Sequence, residues 1–113
     1  MLTRNRLLAG TAALVALSLV GPAAAQAPIK IGELNSYKVF PAFLEPYKKG
    51  IELAVEEVNA AGGVLCRKIE VVSRDDNGNP GDAVRVAEEL LSREGASFLI
   101  GTFPSNVGLA VAD

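Results

Sequence analysis

The sequence predicts an α/β fold in which a parallel sheet forms a Rossmann-like lobe. Three observations predict it: short apolar segments that begin near residues 29, 68 and 98, amphipathic segments of helical period that follow the first two, and turn residues between them. Strands that alternate with helices are joined by right-handed crossovers, and such crossovers make neighbouring strands parallel.

The first strand is predicted over Ile29–Leu34, where apolar residues alternate with small or polar ones. The loop Asn35–Tyr37 follows, and Pro41 and Pro46 mark the start of a helix, since proline is tolerated in a first turn. An apolar stripe at helical spacing comprises Tyr47, Ile51, Ala54, Val55, Val58 and Ala61. The pair Gly62–Gly63 is expected to end this helix, because a left-handed residue there needs no Cβ.

The second strand is predicted over Lys68–Arg74, and a turn over Asp75–Asn79 follows it. Asn79 is the expected N-cap of a second helix, with Pro80 at its first position and Asp82 completing a box-like start. The residues expected to form its buried stripe are Ala83, Val84, Ala87, Leu90 and Leu91, and Gly95 is expected to close it.

The third strand is predicted over Phe98–Ile100, a continuous apolar run of the kind found in a central parallel strand covered on both faces. Ser105 begins a third helix, which is unfinished at Asp113. Three strands and an incomplete helix make a poor free-standing domain. We therefore expect residues 26–113 to be the N-terminal part of the first α/β lobe of a longer protein.

Residues 1–25 are predicted to be a signal peptide. Arg4 and Arg6 precede an apolar run over Leu7–Val20, and Ala23–Ala25 supplies the small residues that signal peptidase requires before Gln26. The alternative is a membrane anchor, which the uncharged stretch is just long enough to form. Its Gly-Pro-Ala-Ala-Ala end favours cleavage, so we expect a protein that is exported to the periplasm and is not inserted in the membrane afterwards.

Composition excludes several classes of function. The formal net charge is −2 and there is no basic patch, so nucleic acid is not an expected partner. The sequence contains no histidine, which excludes triads, metal sites and proton shuttles that depend on imidazole. Cys66 is the only cysteine, so no intrachain disulfide can form, and we expect a free thiol.

Ligands of open parallel sheets bind beyond the carboxyl ends of the strands. Ser105 lies there at a helix start, where its hydroxyl and the N–H groups of Ser105 and Asn106 could bind an anionic group, or where the serine could simply cap the helix. The first loop carries an aromatic cluster of Tyr37, Phe40 and Phe43. These rings could line an apolar pocket or could only attach the loop to the helix below it.

No pattern in the sequence indicates an enzyme, a cofactor or a metal. The segment Asp75–Asn79 resembles the start of a calcium loop, but Pro80 and Val86 stand where such a loop needs its glycine and its bidentate glutamate. A turn and a helix cap are therefore the expected structure. There is no phosphate-binding loop, and the segment Gly101–Ser105 does not have the spacing of a nucleophile elbow.

Several segments together resemble the opening of type I periplasmic solute-binding proteins, in particular the leucine/isoleucine/valine-binding branch that serves ABC importers. The segments that carry this resemblance are the signal peptide, Ile29–Gly32, the loop around Ser36, Gly50–Ala54, Val58–Gly63, Arg74–Asp76, Pro80–Val84, and Ile100–Gly101 followed by Ser105. The resemblance implies a receptor of two lobes that closes on a small solute and docks on a membrane permease.

The resemblance also implies roles for single residues. By position, Ser105 matches the serine that binds the ligand carboxylate, Ser36 lies in the first ligand loop, and Phe43 matches the region where that loop supplies an aromatic ring. The chain departs from the family at Asn35–Tyr37, where Ser-Gly-Pro is usual, and at Cys66, where glycine is usual. The family's optional disulfide cannot form, because glycine and proline occupy its two positions.

The resemblance implies an importer receptor for a small carboxylate-bearing solute, such as a branched-chain or related amino acid. Two alternatives stay open on the sequence. One is an exported ligand-sensing domain of a receptor, and the remoter one is a fragment of an exported α/β hydrolase. A second lobe further along the gene would support the importer, a transmembrane helix the sensor, and a triad motif the hydrolase.

Overall fold

A computed structural model describes residues 25–113. The elements in chain order are β1 (Ile29–Asn35), α1 (Pro41–Ala60), β2 (Ile69–Asp75), α2 (Pro80–Ser92), β3 (Phe98–Gly101) and α3 (Ser105–Ala112). All strand pairs are parallel, which confirms the predicted α/β class. The predicted signal peptide lies outside the described residues except for Ala25, and no helix of residues 25–113 is long and apolar enough to cross a membrane.

The centre of the sheet is β1 and not β3. The strand order is β2-β1-β3, with Ile31 paired to Val71 on one side and to Phe98 on the other. Among the described strands β3 therefore lies at one edge, where Phe98 is 48% exposed, and the prediction of a central third strand stays a prediction for the longer protein. A continuous apolar run indicates that both faces of a strand are covered, but it does not indicate which strands lie beside it in the sheet.

The core lies on one face of the sheet, under α2 and α3. Its buried residues are Leu34, Ala83, Val86, Ala87, Leu90, Ala96 and Val107. Gly32 on β1 makes this packing close, since a Cβ there would lie 2.6 Å from Leu99 Cδ2 and 3.1 Å from Leu90 Cβ. Any side chain at this position would push α2 away from the sheet.

The buried stripe of α2 differs from the predicted one at three positions. Val84 and Leu91 are 37% and 46% exposed, whereas Val86 is buried. The buried positions follow the spacing i, i+3, i+4 and i+7 from Ala83, and the two exposed residues lie one position further along, at the flank of that stripe.

The N-cap of α2 and the C-terminal end of α1 match the predicted signals, whereas Pro46 does not. Asn79 caps α2 by accepting a hydrogen bond from the Asp82 N–H at 3.1 Å. Gly63 donates its N–H to the Val58 carbonyl at 2.9 Å, which closes α1 in the manner of a Schellman motif. Pro46 lies inside α1 rather than in its first turn, so its missing N–H leaves one helical carbonyl without its bond.

The other face of the sheet is only partly covered by α1. A groove of about 230 Å³ separates them, and it is lined only by aliphatic side chains, among them Ile31, Ile51, Val55 and Ile100. Leu44 is the one fully buried residue of α1. The middle of the predicted stripe, Ile51, Ala54, Val55 and Val58, therefore faces the sheet but packs on it loosely. Its two end members differ from the prediction, because Tyr47 is 38% exposed and Ala61 is the exposed C-cap of α1.

A tight turn between α1 and β2 contains two residues with positive φ, Leu65 at 50° and Cys66 at 61°. It joins Val64 and Arg67, which exchange two backbone hydrogen bonds of 2.8 and 2.9 Å. Two successive left-handed residues define a type I′ turn, for which glycine is the preferred second residue. The Cys66 side chain is exposed.

Replacing Cys66 with glycine is expected to raise the free energy of unfolding by about 1 kcal/mol, because it relieves a left-handed side chain. Urea unfolding of the protein from the complete gene measures this change. Cys66→Ala is the matched control, since it removes the thiol and keeps the Cβ. An equal gain in both variants would contradict the conformational explanation.

Candidate functional site

The carboxyl ends of β1 and β3 and the first turns of α1 enclose a cavity of about 340 Å³. It is lined by Asn35, Phe43, Leu44, Tyr47, Gly101, Thr102 and Phe103. A larger groove of about 440 Å³ runs along α1 and the edge strand β2, away from the strand ends. The cavity at the strand ends is the candidate site, because helix N-termini and loop backbone converge there.

Aromatic rings form one wall of the cavity. Phe43 stacks on Phe103 with 5.6 Å between ring centroids and 21° between planes, and Phe40 meets Phe103 at 5.1 Å and 53°. Phe43 is 66% exposed and Phe103 47%. Large exposed rings at the rim of a cavity offer a surface on which an apolar ligand group could pack.

The backbone at the end of β3 is strained. Gly101 has φ +117° and Thr102 has φ +64°, and the Thr102 N–H donates to the Leu34 carbonyl at 2.9 Å. A side chain at Gly101 would collide with that same carbonyl. Positive φ at a β-branched residue is rare, and such strain is concentrated at ligand sites.

Ser36 is buried beneath the site and joins two loops. Its hydroxyl donates to Asp76 Oδ1 at 2.5 Å, and the Gly78 N–H donates to the same oxygen at 2.8 Å. Both Ser36 and Asp76 have no exposed surface. The Ser36 side chain therefore joins the loop after β1 to the loop after β2, and Ser36 does not line the cavity.

Tyr37 lies on the other side of the first loop from the phenylalanines. It borders a separate groove with Lys48 and Arg74, and Lys48 Nζ lies 5.6 Å from the centre of its ring. The structure therefore does not bring Tyr37 and Phe43 together in one cavity. Burial, reinforced by the Glu33 carboxylate, raises the pKa of Tyr37 well above its ordinary value, and burial raises the pKa of Tyr47 as well.

The raised pKa of Tyr37 predicts a loss of stability in alkali. Above about pH 10 the unfolded tyrosine ionises while the folded one stays protonated, so the free energy of unfolding falls as pH rises. Urea unfolding between pH 8 and 11 is expected to show a smaller fall for Tyr37→Phe than for wild type. Parallel curves for the two proteins would contradict the raised pKa.

A buried carboxylate orients one wall of the cavity. Asn35 Nδ2 donates to Glu33 Oε1 at 2.8 Å, and the two side chains are 2% and 0% exposed. Glu33 Oε2 and Asn35 Oδ1 have no hydrogen-bond partner among the described residues. The pair of Glu33 and Asn35 therefore lies buried behind the surface of the cavity and fixes the orientation of the Asn35 side chain.

Ser105 begins α3 as predicted, but it does not cap it. Pro104 occupies the N-cap position, and no side chain caps this helix. The carbonyl of Pro104 accepts from Val107 and Gly108, which leaves the N–H groups of Ser105 and Asn106 as the free donors of the first turn. Both residues are exposed, and neither is among the residues that line the cavity, although Phe103 precedes them by two positions in the chain.

Three residues of this site had no strong signal in the sequence: Asn35, Thr102 and Phe103. Asn35 was singled out only as a departure from the loop that is usual in the family, and neither Thr102 nor Phe103 belonged to a motif. The Gly-Thr pair directly after an apolar strand was the available signal, because glycine there indicates a close backbone approach. No cluster of three or more metal-ligating side chains occurs in residues 25–113.

Comparisons with known proteins agree with this architecture. A family model described as periplasmic binding protein matches residues 28–113. The Leu/Ile/Val-binding protein homolog 7 of Brucella suis biovar 1 is 42% identical over 99 residues, which cover 87% of this chain and 24% of that protein. Homolog 8 of the same strain is 40% identical over 102 residues, which cover 89% of this chain and 25% of that protein.

Solved structures share the fold. The branched-chain amino acid transporter substrate binding protein LivJ of Streptococcus pneumoniae, in complex with isoleucine, has a TM-score of 0.66 and 32% identity, covering 74% of this chain and 24% of that chain. An ABC transporter solute binding protein of Rhodopseudomonas palustris, in complex with benzoate, has a TM-score of 0.62 and 34% identity. The match covers 74% of this chain and 23% of that chain.

This chain spans about a quarter of the length of the curated relatives it matches. With its parallel β2-β1-β3 sheet and the match over residues 28–113, the chain belongs to the periplasmic binding protein family.

Proposed function

We propose that residues 26–113 are the leading part of the first lobe of an extracytoplasmic receptor for an ABC importer. The receptor captures a small carboxylate-bearing solute in the periplasm and delivers it to a membrane permease. It is a binding protein and not an enzyme. The observation that carries this proposal is the aromatic cavity at the strand ends, beside the free first-turn donors of α3.

The chemistry of the site supports a carboxylate as the anchored group. The N–H groups of Ser105 and Asn106 and the uncommitted Ser105 hydroxyl lie at the positive end of a helix dipole. Ser36 and Tyr37 support the first loop in this proposal. Phe43 and Phe103 pack on the body of the solute.

The size of the cavity supports a small solute. Its 340 Å³ lies near the lower end of the range of about 300–1,000 Å³ that is typical of ligand pockets. Relatives crystallised with isoleucine and with benzoate support both a branched-chain amino acid and an aromatic acid as candidates. Both molecules carry a carboxylate and a compact apolar body.

The test is isothermal calorimetry on the protein expressed from the complete gene, with leucine, isoleucine and benzoate and the corresponding amides, leucinamide, isoleucinamide and benzamide. At least one acid is expected to bind, and its amide is expected to bind at least ten-fold more weakly, because hydrogen bonds to a charged group are the stronger ones. Equal binding of acid and amide, or no binding of any acid, would contradict the proposal.

A further inference from the structure

We propose that Thr102 is a specificity-determining residue of the cavity, whose hydroxyl donates a hydrogen bond to the solute carboxylate, and that Gly108 is the positioning residue that leaves room for this hydroxyl. This inference rests on the proposed function and makes it more specific. It adds a side-chain donor at the end of β3 to the donors that Ser105 and Asn106 supply from α3.

The Thr102 hydroxyl is free and accessible at the wall of the cavity. Thr102 lines the cavity and is half-exposed, and its hydroxyl makes no hydrogen bond within residues 25–113. It is also not one of the buried side-chain atoms that lack a partner, so the oxygen is accessible. The other hydroxyl of the cavity wall, that of Tyr47, lies within hydrogen-bond reach of the buried Asn35 side chain. Thr102 therefore supplies a free polar group to a largely apolar wall, and such groups fix the orientation of a ligand.

The hydroxyl lies between the cavity and the start of α3. A Cβ at Gly108 would lie 2.9 Å from Thr102 Oγ1, so this oxygen packs against the helix where the glycine leaves room. The Gly108 N–H donates to the Pro104 carbonyl at 3.0 Å, which places the contact on the first turn of α3. The N–H groups of Ser105 and Asn106 are the free donors of that same turn. We therefore expect a carboxylate bound to these N–H groups to meet the Thr102 hydroxyl on its cavity side.

Both residues are unfavourable choices for stability alone. Thr102 has φ +64°, which is rare for a β-branched residue, and its N–H donates to the Leu34 carbonyl at 2.9 Å, which holds this conformation. Gly108 lies inside α3, where glycine is destabilising relative to alanine. A strained residue in contact with a helical glycine at the wall of a cavity indicates a functional constraint.

Two substitutions at Thr102 separate the hydroxyl from the shape of the side chain. Thr102→Val removes the hydroxyl and keeps the branched shape and its strain, whereas Thr102→Ser keeps the hydroxyl and loses the methyl group. Calorimetry on the protein from the complete gene uses leucine, isoleucine and benzoate. Binding of the best acid is expected to weaken by about ten-fold in Thr102→Val and by less than about three-fold in Thr102→Ser. The opposite order would show that Thr102 only packs, and it would overturn the proposal.

The amides of these acids show which group of the solute the hydroxyl binds. A hydrogen bond to a charged oxygen is stronger than one to a neutral oxygen, so Thr102→Val is expected to weaken the acid more than its amide. The preference for the acid over the amide is expected to fall by about three-fold or more. An unchanged preference would refute the contact with the carboxylate.

Replacing Gly108 with alanine tests its positioning role. The new Cβ forces Thr102 Oγ1 or the helix to move, so binding of the best acid is expected to weaken by about three-fold or more. Gly50→Ala is the matched control, because Gly50 lies inside α1 and a Cβ there meets nothing within 4 Å. Its affinity is expected to be unchanged. Gly108→Ala is also expected to cost no further affinity when Thr102 is already valine, and a full additional loss there would refute the positioning role.

The outcomes separate this inference from the proposed function. If acids bind wild type and bind a folded Thr102→Val protein equally tightly, the Thr102 contact is refuted and the carboxylate receptor stands. If no acid binds wild type, both are refuted. If Thr102→Val does not fold by circular dichroism, Thr102→Ala, which only removes atoms, takes its place with the same expected loss.

Discussion

Replacing Asp76 with alanine is expected to lower the free energy of unfolding by about 3 kcal/mol or more. Its Oδ1 atom accepts hydrogen bonds from the Ser36 hydroxyl and from the Gly78 N–H, and both Asp76 and Ser36 are fully buried. The change leaves two donors without a partner, and each such loss typically costs about 1–3 kcal/mol. Urea unfolding of the protein from the complete gene measures the effect.

Asp76→Asn is the matched control for this prediction. Both hydrogen bonds end on one oxygen, and the other oxygen, Oδ2, has no partner among the described residues. An asparagine that keeps its oxygen at the Oδ1 position preserves both bonds but places an NH₂ group at the buried Oδ2 position, so we expect a loss of about 1–2 kcal/mol, smaller than that of Asp76→Ala. Similar losses in the two variants would show that the charge, and not the two hydrogen bonds, joins the loops.

Local signals in the sequence predicted the elements well, because each depends on residues close together in the chain. Asn79 and Pro80 predicted the start of α2, and Gly62–Gly63 predicted the end of α1, whose C-cap is the preceding residue Ala61. The order of strands was not predictable in this way, since it depends on which strand pairs with which. The helical period of the sequence also could not show that Val86 is buried and Val84 is exposed, because both residues lie near the edge of the same apolar stripe.

The candidate site was only partly predictable for the same reason. The sequence indicated that strand ends and helix starts would meet, and it singled out Ser105 and Phe43. Phe43 lines the cavity, whereas Ser105 lies at the start of α3 outside that lining, and their roles in binding stay predictions. It could not show that Phe103 stacks on Phe43, or that Asn35 is oriented by Glu33 two residues earlier. These contacts depend on the close approach of β1, α1 and β3.

Replacing Ser105 with alanine is expected to weaken binding of a carboxylate-bearing solute by about ten-fold or more. A hydrogen bond to a charged group contributes about 1.5–3 kcal/mol, and the variant removes the hydroxyl while keeping the backbone N–H. Pro104, not Ser105, is the N-cap of α3, so the change is expected to alter stability by less than about 0.5 kcal/mol. A loss of affinity can then be assigned to the site and not to unfolding.

Calorimetry on the protein from the complete gene, with leucine, isoleucine and benzoate, measures the effect. Ser97→Ala is the matched control, because Ser97 is also exposed but precedes β3 and therefore lies at the opposite end of the sheet. Affinity is expected to be unchanged in that variant. If a folded Ser105→Ala protein binds its best acid as tightly as wild type, Ser105 is not part of the site.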